Sequence, residues 1–305
     1  MTKKTNWRST ALMMGAFALL SALAVTNAVA AGPVTMTVTA VGKKDTTPPP
    51  VAKDDVQLYI NKERTQIADW KRGEKLYLAV VIDDSLDTNV ASQWTDMKAF
   101  FATQPDTTFI SVSYARNGTA VLAQDFTNNH ELLDKSLRIP VGAGAFSSPY
   151  LTLLDLMKRL PSTGDRRSIL LLSSGIDYFH GNFPTSPDLD SVAQRAQKEN
   201  INIWSIYYPD AGHLARGFFR SSRGQSDLSQ IAEETGAESY ALGFGLPVTL
   251  KPYFDELSTH LNNQYLLTFS GNGGKKGKFE RVRVTTELAS VEFLVPSNVF
   301  LPAVP

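Results

Sequence analysis

Carboxylate and hydroxyl side chains are concentrated in three short segments of this sequence. The first is Asp83-Asp84-Ser85-Leu86-Asp87, the second contains Ser147-Ser148, and the third is Ser173-Ser174-Gly175-Ile176-Asp177. Oxygen atoms of this kind are the ligands that Mg²⁺ and Mn²⁺ take in proteins. The three segments therefore predict a divalent metal site, provided that the fold brings them together.

Each segment adjoins a predicted strand or helix. Leu76 to Ile82 and Ser168 to Leu172 are apolar runs of strand length that end just before the first and third segments. The second segment precedes a helical pattern from Leu151 to Leu160. Ligands of parallel α/β sheets bind outside the carboxyl ends of the strands, so we expect the three segments to meet there.

Strands and helices alternate along the middle of the chain. Apolar residues at helical spacing run from Val90 to Phe101, and further strands are predicted over Thr107 to Tyr114 and Ile201 to Tyr208. Asn117-Gly118 predicts a hairpin turn, and Ser226 is predicted to cap a helix. The alternation predicts an α/β, Rossmann-like fold with a mostly parallel central sheet and helices on both faces.

The two ends of the chain instead carry strands without helices between them. We therefore divide the sequence into three parts. Residues 31–54 are an N-terminal strand and a Pro-rich linker, and residues 55–263 are an α/β domain whose first core strand begins at residue 76. Residues 264–305 are a C-terminal hairpin and strand extension. We predict that the terminal strands form a small β appendage. These strands are Val34–Thr39, Val56–Ile60, Gln264–Ser270, Lys278–Thr286 and Val291–Val295.

The first thirty residues have the pattern of a cleaved export signal. Lys3, Lys4 and Arg8 precede an apolar run from Ala11 to Val25, and Ala28-Val29-Ala30 offers small residues to a signal peptidase. The run is shorter than the roughly 20 residues that a membrane-spanning helix needs. We therefore predict signal peptide residues 1–30, no transmembrane segment after cleavage, and an exported protein that is periplasmic or secreted.

Charge and cysteine content exclude several classes of protein. The chain holds 30 Lys+Arg and 30 Asp+Glu, and without the first thirty residues the counts become 27 and 30, so nothing indicates a nucleic-acid partner. The chain has no cysteine, which excludes disulfides, thiol nucleophiles and thiolate metal sites.

The motifs and the order of the elements resemble the von Willebrand factor type A (VWFA) domain, and within it the exported bacterial VWFA-related proteins. Members have a first strand running into Asp-x-Ser-x-Ser, a Thr in a second loop, and an Asp in a Ser/Thr-Asp-Gly turn. Residues 55–62 resemble the strand that precedes the domain, and residues 261–267 resemble its closing Gln-Tyr-Leu-Leu element. The resemblance implies a metal-ion-dependent adhesion site whose open position accepts a partner's carboxylate.

This sequence departs from the family pattern at several of the implied ligands. Asp87 stands where the second Ser of the motif belongs, a serine at position 147 or 148 replaces the Thr, and Ser174 replaces the final Asp. Because a serine cannot supply the missing negative charge, we predict a degenerate site with no certain cofactor. The alternatives are a metal-competent Mg²⁺ or Mn²⁺ site and a segment that merely caps the following helix. The implied metal residues are Asp83, Ser85 and Ser148 as direct ligands and Asp87, Ser174 or Asp177 as holders of metal-bound water.

An enzyme of the haloacid-dehalogenase type is a further alternative. Such phosphatases also have an Asp after the first strand and a Ser after a later one, as Asp83 and Ser173 offer here. Their chemistry needs a general-acid Asp two residues after the nucleophile, and Ser85 occupies that position. No Gly-x-Ser-x-Gly occurs, and the four histidines have no ligand-like spacing. We therefore predict that the protein is not an enzyme.

A segment between Gly212 and Gly224 is a candidate for a metal-independent contact with a partner. It mixes arginine with aromatic residues, which are enriched at protein interfaces. The alternative is a loop that packs its own phenylalanines. The sequence thus predicts an exported protein-binding or adhesion module with a protein or envelope component as its partner. The predicted contact residues are Arg216, Phe218, Phe219, Arg220 and Arg223.

Overall fold

The computed structural model describes residues 32–43, 46–180, 186–212, 217–241 and 243–303. The predicted export signal over residues 1–30 and the predicted contact residue Arg216 lie outside these ranges. Within them, the helices are too short or too polar to cross a bilayer.

Three sheets and six α-helices make up the described part of the chain. The strands are β1 (Gly32–Gly42), β2 (Val56–Ile60), β3 (Glu63–Thr65), β4 (Ile67–Arg72), β5 (Leu76–Asp83), β6 (Thr108–Arg116), β7 (Thr119–Thr127), β8 (Arg166–Ser173), β9 (Ile201–Tyr207), β10 (Ser239–Tyr240), β11 (Gln264–Gly271), β12 (Lys278–Thr286), β13 (Val291–Leu294) and β14 (Asn298–Leu301). The helices are α1 (Trp94–Thr103), α2 (His130–Ser136), α3 (Pro149–Met157), α4 (Leu189–Glu199), α5 (Phe218–Glu234) and α6 (Lys251–Asn262).

The central sheet has six strands in the order β10-β9-β8-β5-β6-β7. All neighbours pair in parallel except β7, which runs antiparallel to β6. The turn between these two strands is Asn117-Gly118, where both residues have positive φ (52° and 69°), as a tight hairpin turn requires. The predicted mostly parallel sheet is therefore confirmed.

Helices cover both faces of this sheet because its buried strands carry apolar side chains on both sides. Along β5, Leu78 and Val80 pack in the same core as residues of α1, α2 and α6. The alternate residues Ala79 and Val81 pack in a second core with α3, α4 and α5. The two faces thus hold three helices each in the described part of the chain, which confirms the predicted α/β architecture.

The terminal strands form a larger unit than the predicted small appendage. They make two four-stranded antiparallel sheets, in the orders β13-β1-β11-β4 and β14-β12-β2-β3. Side chains from both sheets, including Met36, Leu58, Phe269 and Val284, share one buried core. Strands β2 to β4 pair within this β-sandwich, although the division drawn from the sequence placed residues 55–263 in one domain.

Helix α5 begins earlier than the sequence indicated. Ser226 was predicted to cap it, but the helix starts at Phe218 after Gly217, whose φ is 77°. Residues 218–224 are therefore helical and not a loop. No proline interrupts residues 218–225. Gly224, in the helix interior, packs closely against the loop after β8.

Candidate functional site

Asp83 and three serines form a buried cluster at the carboxyl ends of β5 and β8, which we name the serine cluster. Oδ1 of Asp83 accepts hydrogen bonds from the backbone N–H (3.0 Å) and Oγ (2.7 Å) of Ser85, and Oδ2 accepts one from Oγ of Ser173 (2.7 Å). Oγ of Ser147, in the loop before α3, donates to the backbone carbonyl of Ala115 (3.4 Å), and the nearby hydroxyl acts to lower the pKa of Asp83. All four residues are at most 1% exposed.

The hydroxyls that reach Asp83 lie one residue before two of the predicted ligands. Oγ of Ser148 accepts from the backbone N–H of Leu151 (3.4 Å) and caps α3. Oγ of Ser174 accepts from the backbone N–H of Ile176 (3.3 Å). Successive side chains of an extended segment point to opposite sides, so Ser173 donates to Asp83 while Ser174 holds a backbone group, and Ser147 lies on the side of Asp83 while Ser148 caps α3.

The first segment contributes two more carboxylates, and each has its own partner. Asp84 is fully buried. Its carboxylate accepts hydrogen bonds from both terminal nitrogens of Arg138 (2.7 and 2.9 Å) and from the backbone N–H of Val141 (3.1 Å). Asp87 accepts from the backbone N–H of Asn89 (2.9 Å) and caps the short 3₁₀ helix that follows. Capping, one of the alternatives that the sequence left open, is thus what Asp87 does.

Asp177, the last predicted metal residue, is also engaged away from the serine cluster. Its Oδ1 accepts from the backbone N–H of Phe179 (2.9 Å), and its Oδ2 accepts from Oγ of Ser186 (2.7 Å). Nδ1 of His180 lies 2.8 Å from the same Oδ2. Asp177 therefore belongs to a second group of polar side chains at this edge of the sheet.

The serine cluster does not fit the Mg²⁺ or Mn²⁺ ion that the resemblance implies. Its one carboxylate, Asp83, has both oxygens occupied by hydrogen bonds from serines. Burial raises the pKa of Asp83, against the opposing effect of those hydrogen bonds. A divalent ion needs several free oxygen ligands and compensating negative charge. Binding it here would require the hydroxyls to turn away from a carboxylate that they now stabilise.

Asp227 is an ionisable residue of this edge that the sequence analysis missed. It lies on α5 and is 6% exposed, and the nearby backbone N–H of Ser186 acts to lower its pKa. Burial raises its pKa to about 6, and the nearby Asp177 adds to the rise, while Arg223 opposes it. Position 227 lies in the helix that the sequence did predict, but nothing in the local pattern shows that its side chain is buried.

Asp227→Asn should change how stability depends on pH. Between the ordinary pKa of 3.8 and the folded value of about 6, the unfolded chain has lost a proton that the folded protein keeps. The free energy of unfolding therefore falls as the pH rises through this window, by up to about 3 kcal/mol. We expect the variant to lack this fall, so that urea unfolding shows it gaining stability over wild type from pH 4 towards pH 7.

Asp190→Asn, at an exposed position of α4, is the control for this prediction. Parallel pH profiles for Asp227→Asn and wild type would contradict it.

Exposed apolar side chains line the same edge of the sheet. They come from the loop before α3, the loop after β8, the first turn of α5 and the loop before α6. The Phe218 ring lies 4.9 Å from that of Phe244 and 6.0 Å from that of Phe219, which is 84% exposed. We name this set the apolar rim, and its members are Ile139, Val141, Phe146, Phe179, Phe218, Phe219, Phe244, Leu246 and Val248.

The rim contains part of the contact segment predicted from the sequence. Phe218 and Phe219 are exposed, and Phe218 contacts the rings of Phe219 and Phe244. The assignment of the segment as a contact surface stays a prediction. Arg220 and Arg223 lie on the same helix within its first two turns. The other aromatic positions, such as Phe146 and Phe179, were not predicted, because single exposed phenylalanines in separate loops carry no local signal.

Comparison with known proteins gives structural neighbours. No family model matches the sequence, and no curated protein matches it. The chain is similar to a von Willebrand factor type A structure from Catenulispora acidiphila, with 11% identity over 91% of this chain and 75% of that chain and a TM-score of 0.43. It is also similar to the vWF domain of the type V pili tip protein Mfa5 from Porphyromonas gingivalis, with 11% identity over 62% and 96% of the two chains and a TM-score of 0.46.

A third neighbour is the ArnB paralog VWA2 from Sulfolobus acidocaldarius, with 9% identity over 89% of this chain and 76% of that chain and a TM-score of 0.41. All three structures are of the type that the sequence resemblance named.

Proposed function

We propose that this chain is an exported, VWFA-like protein-binding module that contacts its partner, a protein or an envelope component, through the apolar rim and without a metal ion at Asp83. One observation carries the proposal. Exposed aromatic and aliphatic side chains line a sheet edge at which Asp83, the carboxylate expected to hold a metal, is instead hydrogen-bonded by Ser85 and Ser173. Contiguous exposed apolar side chains mark protein-binding surfaces, and aromatic residues contribute most of the binding energy there.

Export and a role without catalysis are supported by different observations. Export rests on the basic, apolar and small-residue pattern of residues 1–30. A role without catalysis rests on Asp83, the residue that a dehalogenase-type enzyme would use as its nucleophile. Its side chain is fully buried beneath hydrogen-bonding serines, whereas a nucleophile must reach its substrate.

Phe219 should crosslink to the partner in cells. Benzoylphenylalanine placed at position 219 keeps an aromatic ring at the most exposed phenylalanine of the rim. We expect illumination of the producing cells to yield a discrete adduct, detected by gel mobility and identified by mass spectrometry. The same probe at Phe279, an exposed phenylalanine of the β-sandwich, is the matched control and should yield none.

The outcomes of this experiment separate the candidate functions. Equal adducts from both positions, or none from position 219, would contradict the rim as the binding surface. A yield that rises when Mg²⁺ is restored to EDTA-treated cells would instead support the metal-competent adhesion site. Turnover in a phosphatase and esterase substrate panel, abolished by Asp83→Ala, would overturn the non-enzymatic part of the proposal.

A further inference from the structure

Three potential metal ligands converge near the start of α4. Asp177 and His180 lie in the loop after β8, and Asp188 is the residue before Leu189, where α4 begins. Nδ1 of His180 is 2.8 Å from Oδ2 of Asp177 and 3.7 Å from Oδ2 of Asp188. One ligating atom from each residue lies within 4.8 Å of the other two. The spacing of the histidines in the sequence does not indicate this group, because Asp188 approaches His180 only in the folded chain.

One carboxylate oxygen of this group is buried and lacks a hydrogen-bond donor among the described residues. The Asp177 side chain is 6% exposed and the Asp188 side chain 22%. Oδ2 of Asp188 is inaccessible to solvent and has no hydrogen-bond partner among the described residues. His180 does not supply one, since 3.7 Å exceeds hydrogen-bond length. A buried carboxylate oxygen without a donor is costly, and a cation bound between the three groups would remove that cost.

We propose that Asp177, His180 and Asp188 bind a Zn²⁺ ion. Ligand atoms around tetrahedral zinc lie about 3.3 Å apart, from bond lengths near 2.0 Å, and the two distances from His180 Nδ1, 2.8 and 3.7 Å, bracket that separation. One imidazole with two carboxylates suits zinc, whereas magnesium prefers oxygen ligands alone. Oγ of Ser186 donates to Asp177 Oδ2 and orients that carboxylate, as partners of metal ligands commonly do.

This site is separate from the serine cluster and does not depend on the proposed function. Its ligands come from the loop after β8 and the start of α4, and Asp83 is not among them. Three protein ligands leave a fourth zinc position open for water or for a group of another molecule. The competing explanation is an ion pair in which a protonated His180 sits between two carboxylates and no metal binds.

Zinc titration of the mature, EDTA-dialysed protein tests the proposal by calorimetry and thermal unfolding. We expect one Zn²⁺ per chain and a Tm increase of about 5 °C at a hundredfold excess over Kd, with no increase from Mg²⁺. Asp188→Asn and His180→Gln should each weaken zinc binding at least about tenfold. Asp188→Asn keeps the size of the side chain, and its metal-free Tm is measured beside its zinc affinity, so that lost binding can be separated from lost folding.

Two control variants locate the ion. Glu256→Gln alters the other described group of potential ligands, Glu238, Glu256 and His260, and Asp83→Ala alters the serine cluster. Both should keep wild-type zinc affinity. The proposal is overturned if zinc gives neither heat nor a Tm shift, as the ion-pair explanation predicts. It is also overturned if Asp188→Asn and His180→Gln bind zinc normally, or if only Glu256→Gln or Asp83→Ala abolishes binding.

Discussion

Replacing Gly224 with alanine is expected to lower the free energy of unfolding by about 3 kcal/mol, the upper range for an overpacked site. A Cβ atom at this position would lie 2.1 Å from the carbonyl oxygen of Ser174. The contact is with backbone, so no side chain can turn aside to relieve it. Helix α5 would have to move away from the loop after β8, or the loop away from the serine cluster.

The expected destabilisation by Gly224→Ala is opposite in sign to the usual effect of alanine in a helix. Gly224 lies inside a helix, where alanine is normally preferred to glycine by about 1 kcal/mol. Gly164→Ala is the control, because a Cβ there meets no atom within 4 Å. Urea unfolding of both variants gives the comparison. If the Gly224→Ala protein is as stable as wild type, the backbone of α5 does not pack closely against the loop after β8.

The same contact explains why the turn after β8 needs glycine. Gly175 has a φ of 69°, and a Cβ there would lie 2.2 Å from the carbonyl oxygen of Gly224. The two glycines therefore pack backbone against backbone. This packing holds the start of α5, with Phe218 and Phe219, beside the end of β8 at Ser173 and the loop that begins at Ser174. The apolar rim and the serine cluster are thus connected through one tight contact.

Arg166→Met should lower the free energy of unfolding by about 3 kcal/mol, because the lost hydrogen bonds come from a charged donor to buried carbonyls. Arg166 is 6% exposed at the start of β8. Its guanidinium donates to the carbonyl oxygens of Leu261 and Glu74 and to Oε1 of Gln264. Burial lowers its pKa to about 10, so it stays charged at neutral pH. It joins the central sheet to the end of α6 and the start of β11.

Methionine preserves the buried aliphatic stem of Arg166, so the measured loss reports the hydrogen bonds. Arg281→Met, at an exposed position of β12, is the control and should change stability by no more than about 0.5 kcal/mol. Arg166→Lys should fall between wild type and Arg166→Met, since one ammonium group cannot reach all three acceptors. Denaturant unfolding at pH 7 measures all three variants. A loss below about 1 kcal/mol for Arg166→Met would contradict the claim that the hydrogen bonds of Arg166 stabilise the protein.

Much of the α/β part could be predicted because its signals are local. The apolar runs ending at Ile82 and Leu172 are buried on both faces, and Asn117-Gly118 forms the predicted turn. Burial on two faces requires an uninterrupted apolar strand, and a tight hairpin requires two residues that tolerate positive φ. The size of the β-sandwich had no such signal, because β1 pairs with β11 and β13 from the opposite end of the chain.

The sequence by itself determined the main strands and helices of the α/β part, and that three oxygen-rich segments lie at one edge of a parallel sheet. Only the tertiary structure decided which oxygens meet there. Asp83 contacts Ser173 and not Ser174, and Asp188 reaches His180 across an intervening segment. Strand and helix patterns repeat within a few residues, so they can be recognised from neighbouring residues alone. The direction of a loop side chain instead depends on all the groups that pack around it.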